Sequence, residues 1–180
     1  APFLFNFYYA IKDKIMTKYK LITACIIFLT VNVNEVLAHC QVPCGIYNDA
    51  ARIVQIEEDI ATIKKAMTKI SDLAGRTDAQ SLNQITRWVT TKEAHAQNVQ
   101  ETILNYFLAQ RIKEKEKGDE GRQKYVDQTL LLHQLIVIAM KCKQTVDLSR
   151  CDAALKIVQN FTNSYFDDHG IEHIKSLKKG

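Results

Sequence analysis

Seven apolar residues, Ile53, Ile56, Ile60, Ile63, Met67, Ile70 and Leu73, recur at spacings of three or four. With 3.6 residues per turn, an α-helix gathers such a set on one face, whereas a strand would scatter it over both. The stripe therefore predicts an amphipathic helix whose apolar face other elements must cover. Asn48 or Asp49 is placed to cap its start by accepting from exposed backbone N–H groups, and Gly75 to end it in the left-handed conformation. A stripe of this kind is core and not a cofactor box.

The same pattern continues down the chain. A second helix is expected from Asp78, carrying Leu82, Ile85, Trp88 or Val89, Ala96, Val99, Ile103 and Tyr106. The charge run Lys113-Glu-Lys-Glu-Lys117 follows as a solvated helix end, and Gly118-Asp-Glu-Gly121 breaks the pattern. A third helix takes in Tyr125, Leu130, Leu131, Leu135, Ile138 and Ala139, and its apolar density predicts deep burial. A fourth starts at Asp147 or Ser149, turns Ala154, Ile157, Val158, Phe161 and Tyr165 inward, and ends near Gly170 before a frayed, Lys-rich tail. Only six glycines and two prolines occur in 180 residues, which argues against a loop-rich or all-β chain. Short connections make antiparallel neighbours the natural packing, so the expected fold is all-α, an up-and-down four-helix bundle over about residues 48–168. No internal repeat or Pro-rich linker divides it.

The first 38 residues have the character of a leader. Residues 1–15 precede Met16 and are taken as upstream sequence, outside the fold. From Met16 come the basic stretch Lys18-Tyr19-Lys20, an apolar run from Leu21 to Val31, and the small-residue approach Val36-Leu37-Ala38. That is the three-part plan of a secretory signal peptide, residues 16–38, to be removed by a processing peptidase. The apolar run is well short of the ~20 residues a spanning helix needs, so no stable membrane anchor is expected. A lipid-modified Cys40 is a further possibility, but His39 is bulky for the position before such a cysteine. The mature chain, residues 39–180, is accordingly expected to be secreted or periplasmic. Four of the 24 basic and two of the 20 acidic residues lie in the leader, which leaves a mature excess of only two. No long basic run interleaves with aromatics, so nucleic acid is not an expected partner.

Cleavage after Ala38 would expose a segment dense in ligands: His39-Cys40-Gln41-Val42-Pro43-Cys44-Gly45-Ile46-Tyr47. Residues 39–47 then form an N-terminal metal-binding hook that offers a free α-amine, an imidazole, the Cys40 amide and two thiols. Nitrogen and thiolate donors suit soft or borderline metals, and a planar set with amine and amide nitrogens points to Ni(II) or Cu(II) rather than tetrahedral zinc. Pro43 and Gly45 help the chain turn back on itself. Two cysteines four apart could instead form a disulfide bond.

The motif His39-Cys40-x-x-Pro43-Cys44-Gly45-x-Tyr47 at a processed N-terminus resembles the nickel hook of nickel superoxide dismutases. Arg87-Trp88-Val89, Lys92-Glu93-x-His95 and Asn105-Tyr106-Phe107 also look like segments of that family, and the resemblance covers residues 39 to about 165. It implies that the His39 amine, the Cys40 amide nitrogen and the Cys40 and Cys44 thiolates hold a nickel ion in a plane, with the His39 imidazole as axial ligand in the oxidised state. It implies superoxide as substrate, disproportionated to dioxygen and hydrogen peroxide by Ni(III)/Ni(II) cycling. It implies further that Tyr47 stands over the open face, with Tyr106 as its supporting partner, and that the protein is a homo-oligomer, expected to be a hexamer. Gln41 stands where the family often has an acidic residue, and His95 where an arginine may support the axial histidine.

The remaining candidates are less specific. Cys25 leaves with the leader, while Cys142 and Cys151 flank the third connection and could form a disulfide bond. His133 lies in an apolar helix as an expected core histidine, and His169 and His173 lie in the tail. No Ser/His/Asp set, paired-carboxylate site or phosphate loop is present. Two other functions fit a hook: a secreted non-catalytic nickel- or copper-binding or delivery protein, and a structural bundle stapled by Cys40–Cys44. A carrier has no evident need for Tyr47, and a staple none for an N-terminal His39.

Overall fold

The structure is a computed structural model that describes Met16 and residues 47–179. The leader, the cleavage position and the hook residues His39, Cys40, Gln41 and Cys44 lie outside the described residues. Among the described residues every regular element is helical: α1 (Asp49–Asp72), α2 (Ala79–Glu101) running directly into a π-helical stretch (Thr102–Arg111), α3 (Arg122–Lys143), α4 (Ser149–Tyr165) and α5 (Asp168–Leu177). α1 packs on α2, α2 on α3, α3 on α4 and α4 back on α1, the closed circuit of an up-and-down four-helix bundle, and α5 lies against α1.

Local chemistry sets the ends of these helices. Asn48 Oδ1 accepts from the Ala51 N–H at 3.0 Å and Asp78 Oδ1 from the Ser81 N–H at 2.9 Å, each filling one of the donors that a helix start leaves open. Gly75 takes φ +81° after α1, the left-handed conformation expected of it. Asp147 Oδ1 accepts from the Ser149 N–H at 3.0 Å and so starts α4. Inside, Ile53, Ile56, Ile60, Ile63 and Met67 are fully buried as the stripe requires. Each contributes about 2 kcal/mol by leaving water.

Several expectations are corrected. Leu82 and Val89 are exposed, and Ile70, Leu73, Ile85 and Trp88 are only half-buried. The cause is a difference in helix length. Lys92 bonds the last carbonyls of α3, and Lys64 pairs with Asp152 in the first turn of α4, which marks where those two helices stop. α1 and α2 continue past that level and cover only each other. α3 is not deeply buried: its inward register runs through Leu132, Leu135, Ile138 and Cys142, while Leu130 and His133 face out, so His133 is no core histidine. Apolar density overstated its burial because only α2 and α4 flank it. The charge run 113–117 is solvated but lies in the connection beyond the helix, which ends at Arg111.

The fourth helix stops at Tyr165, and the supposed tail forms α5, capped by Asp167 Oδ1 accepting from the Gly170 N–H at 2.8 Å and anchored by buried Ile174. Gly170 thus begins a helix instead of ending one. A Cβ there would stand 2.6 Å from Phe166 Cδ1, so the glycine permits close approach of that ring.

Candidate functional site

The site is assembled where α1 starts, where the π-helical stretch ends and where α4 ends. Because Asn48 caps α1, the Asp49 side chain is free to turn toward the other two helices. The Tyr106 hydroxyl donates to Asp49 Oδ1 at 2.6 Å and the Tyr165 hydroxyl to Oδ2 at 2.7 Å. Arg111 grips the same carboxylate in a fork, Nε donating at 2.9 Å to Oδ1 and Nη2 at 2.8 Å to Oδ2. One carboxylate therefore ties three helices together, and its charge sits at a helix N-terminus, where the peptide dipoles favour it.

The π-helical stretch is what allows Tyr106 and Arg111 to meet the same partner. Residues five apart on an α-helix lie about 140° round from each other. In a π-helix the N–H of residue i+5 bonds the carbonyl of residue i, so the pair shares one face. Here the Ile112 N–H donates to the Phe107 carbonyl at 2.9 Å, and the Gln110 side chain returns to the Asn105 carbonyl at 2.7 Å.

Electrostatics follow from this packing. Burial pushes the Asp49 carboxyl up, but the hydrogen bonds from Arg111, Tyr106 and Tyr165 outweigh it and hold the group below its ordinary value. Burial, then the bond to Asp49, raises the Tyr106 phenol well above its usual range, and the same two causes push Tyr165 up to about 12. The hydrogen bond to Asp49 likewise raises Arg111. Both phenols remain neutral donors and Arg111 stays a cation.

Tyr47 sits on the outer side of this cluster and is exposed, whereas Tyr106 is buried. Their rings meet edge to face with centroids 5.9 Å apart, and the Arg111 guanidinium lies 4.3 Å from the centre of the Tyr47 ring. Among the described residues the Tyr47 hydroxyl has one weak bond, to Gln110 Oε1 at 3.4 Å. Its ring is held by the bundle.

His95 is not part of this group. Its Nδ1 lies 2.6 Å from Asp59 Oδ1, and it stands eleven residues before Tyr106, on the order of 16 Å along the helix. Asp59 Oδ2 is buried without a hydrogen-bond partner among the described residues. Asp49, Arg111, Tyr165 and Gln110 carry no sequence signal for the site: Asp49 has the look of a cap and Tyr165 of a core residue. Tyr47 and Tyr106 are marked in advance, through their motifs.

The described residues include no group of three or more His, Cys, Asp or Glu side chains able to hold a metal ion. The donors of the sequence at positions 39–44, two cysteine sulfurs with the His39 imidazole and backbone nitrogens, fit nickel. No helix of the described residues is long and apolar enough to cross a membrane.

A comparison with curated proteins and with solved structures gives no match. The family model for nickel-containing superoxide dismutase matches residues 34–169, well over half of the chain. The matched span takes in the ligand-rich segment together with Tyr47, Asp49, Tyr106, Arg111 and Tyr165. With a bundle of the expected class and a donor set suited to the metal, the chain belongs to the nickel-containing superoxide dismutase family, oxidoreductases that act on superoxide.

Proposed function

We propose that nickel is held at a processed N-terminus by the His39 amine and imidazole, the Cys40 amide nitrogen and the Cys40 and Cys44 thiolates, and that Tyr47 stands over its open face. Nickel, when bound, supplies the redox chemistry, alternating between Ni(III) and Ni(II) as one superoxide loses an electron to give dioxygen and another gains one, with two protons, to give peroxide. The observation that carries this proposal is the way Tyr47 is held. It stands three positions after Cys44 in the chain, a reach of at most about 11 Å. Arg111 and Tyr106 fix its ring, and among the described residues its hydroxyl meets only Gln110, at 3.4 Å. Such a hydroxyl can order water and limit access without being a ligand. Tyr106 is committed to Asp49 and stays protonated, which makes it a positioning residue for Tyr47 instead of a proton source in turnover.

Tyr47→Phe is expected to retain nickel and keep substantial turnover at low superoxide, but to saturate earlier or become more sensitive to azide. Pulse radiolysis over a range of superoxide concentrations reads this directly. Loss of nickel from the Phe variant would contradict the assignment.

Secretion to an extracellular or periplasmic space, removal of the leader by a peptidase, and assembly into a homo-oligomer, expected to be a hexamer, belong to the same proposal. Supporting assembly, a nine-residue chain end has too few contacts of its own to offset its conformational entropy. The α1–α2 overhang also leaves Leu82 and Val89 exposed. Sedimentation of the processed, nickel-loaded protein as a monomer at micromolar concentration would count against it.

A further inference from the structure

Two cysteines outside the hook are not used by this chemistry. Cys142 lies in the last turn of α3 and Cys151 in the first turn of α4, joined by the short connection 144–148. Both are thiols, both are buried in the same core cluster, and each shifts the titration of the other. Cys151 Sγ also lies 3.7 Å from Met67 Sδ.

The pair is asymmetric. Lys92 is itself buried, and its Nζ donates to the Cys142 carbonyl at 3.0 Å and to the Lys143 carbonyl and pairs with Glu93 at 3.1 Å, which places a buried cation beside Cys142, whereas the cation that acts on Cys151, Lys64, is solvent-accessible and paired with Asp152. The hydrogen bond from Cys151, against burial and aided by Lys92, lowers the Cys142 thiol, while the same bond and burial raise Cys151. A thiolate forms at Cys142 first, and the thiolate is the nucleophile. An open depression of about 500 Å³, lined by Lys92, Lys143, Gln144, Thr145 and Val146, leads to the carbonyl end of α3 that carries Cys142. The exposed connection is a short segment to open for a small oxidant.

We propose that Cys142 and Cys151 are an oxidation site that closes to a disulfide bond, with Cys142 attacking, Cys151 resolving, and hydrogen peroxide as the oxidant. The Cys142 thiolate attacks one peroxide oxygen, the O–O bond breaks, and hydroxide leaves to be protonated to water. The sulfur of Cys151 then attacks the resulting sulfenic acid, so that the S–S bond forms, the S–O bond breaks and a second water leaves. Two thiols lose two electrons in total, and both peroxide oxygens end as water. The family's reaction makes peroxide, so the oxidant arises where the protein works; the thiol chemistry itself does not depend on how nickel is held.

The test uses the full, nickel-loaded protein treated with added peroxide, denatured with an alkylating agent and mapped by mass spectrometry. Tryptic peptides 142–143 and 151–156 are expected joined and two hydrogens lighter, and the unfolding midpoint is expected to rise by about 5–10 °C. Dimedone should label Cys142 in Cys151→Ala and should not label Cys151 in Cys142→Ala. Complete alkylation of both cysteines in peroxide-treated wild type, which needs no variant to fold, would overturn the proposal. So would dimedone labelling of Cys151, or one Cu(I) retained per chain on these sulfurs with Met67 and protecting them from peroxide.

Discussion

The two ends of the bundle are held by opposite means. At the end where α1 begins, one carboxylate receives hydrogen bonds from a guanidinium and two phenols carried by the π-helical stretch and α4, and an exposed tyrosine rests on that framework. At the end where α3 meets α4, a single buried lysine closes the carbonyls of α3, two buried thiols flank one short connection, and the α1–α2 hairpin projects beyond with Leu82 and Val89 in solvent. The first end is over-determined, so each of its side chains has one position. The second is secured by few groups and has room to open. Fixed geometry is what a group beside a metal needs, since an error of about 1 Å there costs catalysis heavily, and the hook joins the bundle at the fixed end.

The sharpest way to break this contrast is to remove its central charge. Asp49→Ala leaves Arg111, Tyr106 and Tyr165 without their acceptor, and is expected to cost about 2–4 kcal/mol in chemical denaturation. It should also lower turnover, because Tyr47 rests on Arg111 and Tyr106. Lys92→Met, at the opposite end, should cost about 1–2 kcal/mol by leaving α3 carbonyls unmet, with turnover per bound nickel unchanged. Equal loss of activity in the two variants would erase the distinction between the ends.

Acid offers a finer probe. The folded-state carboxyl of Asp49 is held below its ordinary value of 3.8, so the stability it contributes is complete above that value and is lost as pH falls through the depressed one. Asp49→Asn should therefore flatten the acid limb of the stability curve below about pH 4, while Lys92→Met should leave that limb in place. Smaller again, Tyr165→Phe removes one of the neutral donors and is expected to cost about 1 kcal/mol. Leu82→Ser on the overhang should change monomer stability by no more than about 0.5 kcal/mol. A large loss at Leu82, read at concentrations where the protein is oligomeric, would show that the overhang is covered in the assembly.

The sequence made different parts of the molecule legible to different degrees. Ile53 to Met67, the caps at Asn48 and Asp78 and the left-handed Gly75 follow from periodicity and local backbone chemistry, and the structure has them. Leu82, Leu130 and His133 do not, because which face of a helix is covered depends on where its neighbours stop, a tertiary matter that spacing along one helix does not encode. The start of α5 had a local signal in Asp167 that was masked by Gly170, whose role is contact with Phe166. The site divides the same way. Tyr47 and Tyr106 carry a motif, but Asp49 joins them to Arg111 and Tyr165 across 62 and 116 residues, and the π-helical register that aligns Tyr106 with Arg111 leaves no mark in composition.

Catalysis is proposed to belong to a chain that starts at His39, because only then is a free amine available beside the Cys40 amide and the two thiolates. The chain from His39 and the chain that keeps Ala38 can be prepared side by side and loaded with nickel, and bound nickel and superoxide dismutation measured on the same samples. One nickel per chain and full activity are expected when His39 is terminal, and abolished dismutation when Ala38 remains. A nickel-loaded, fully active protein that retains Ala38 would overturn the proposal.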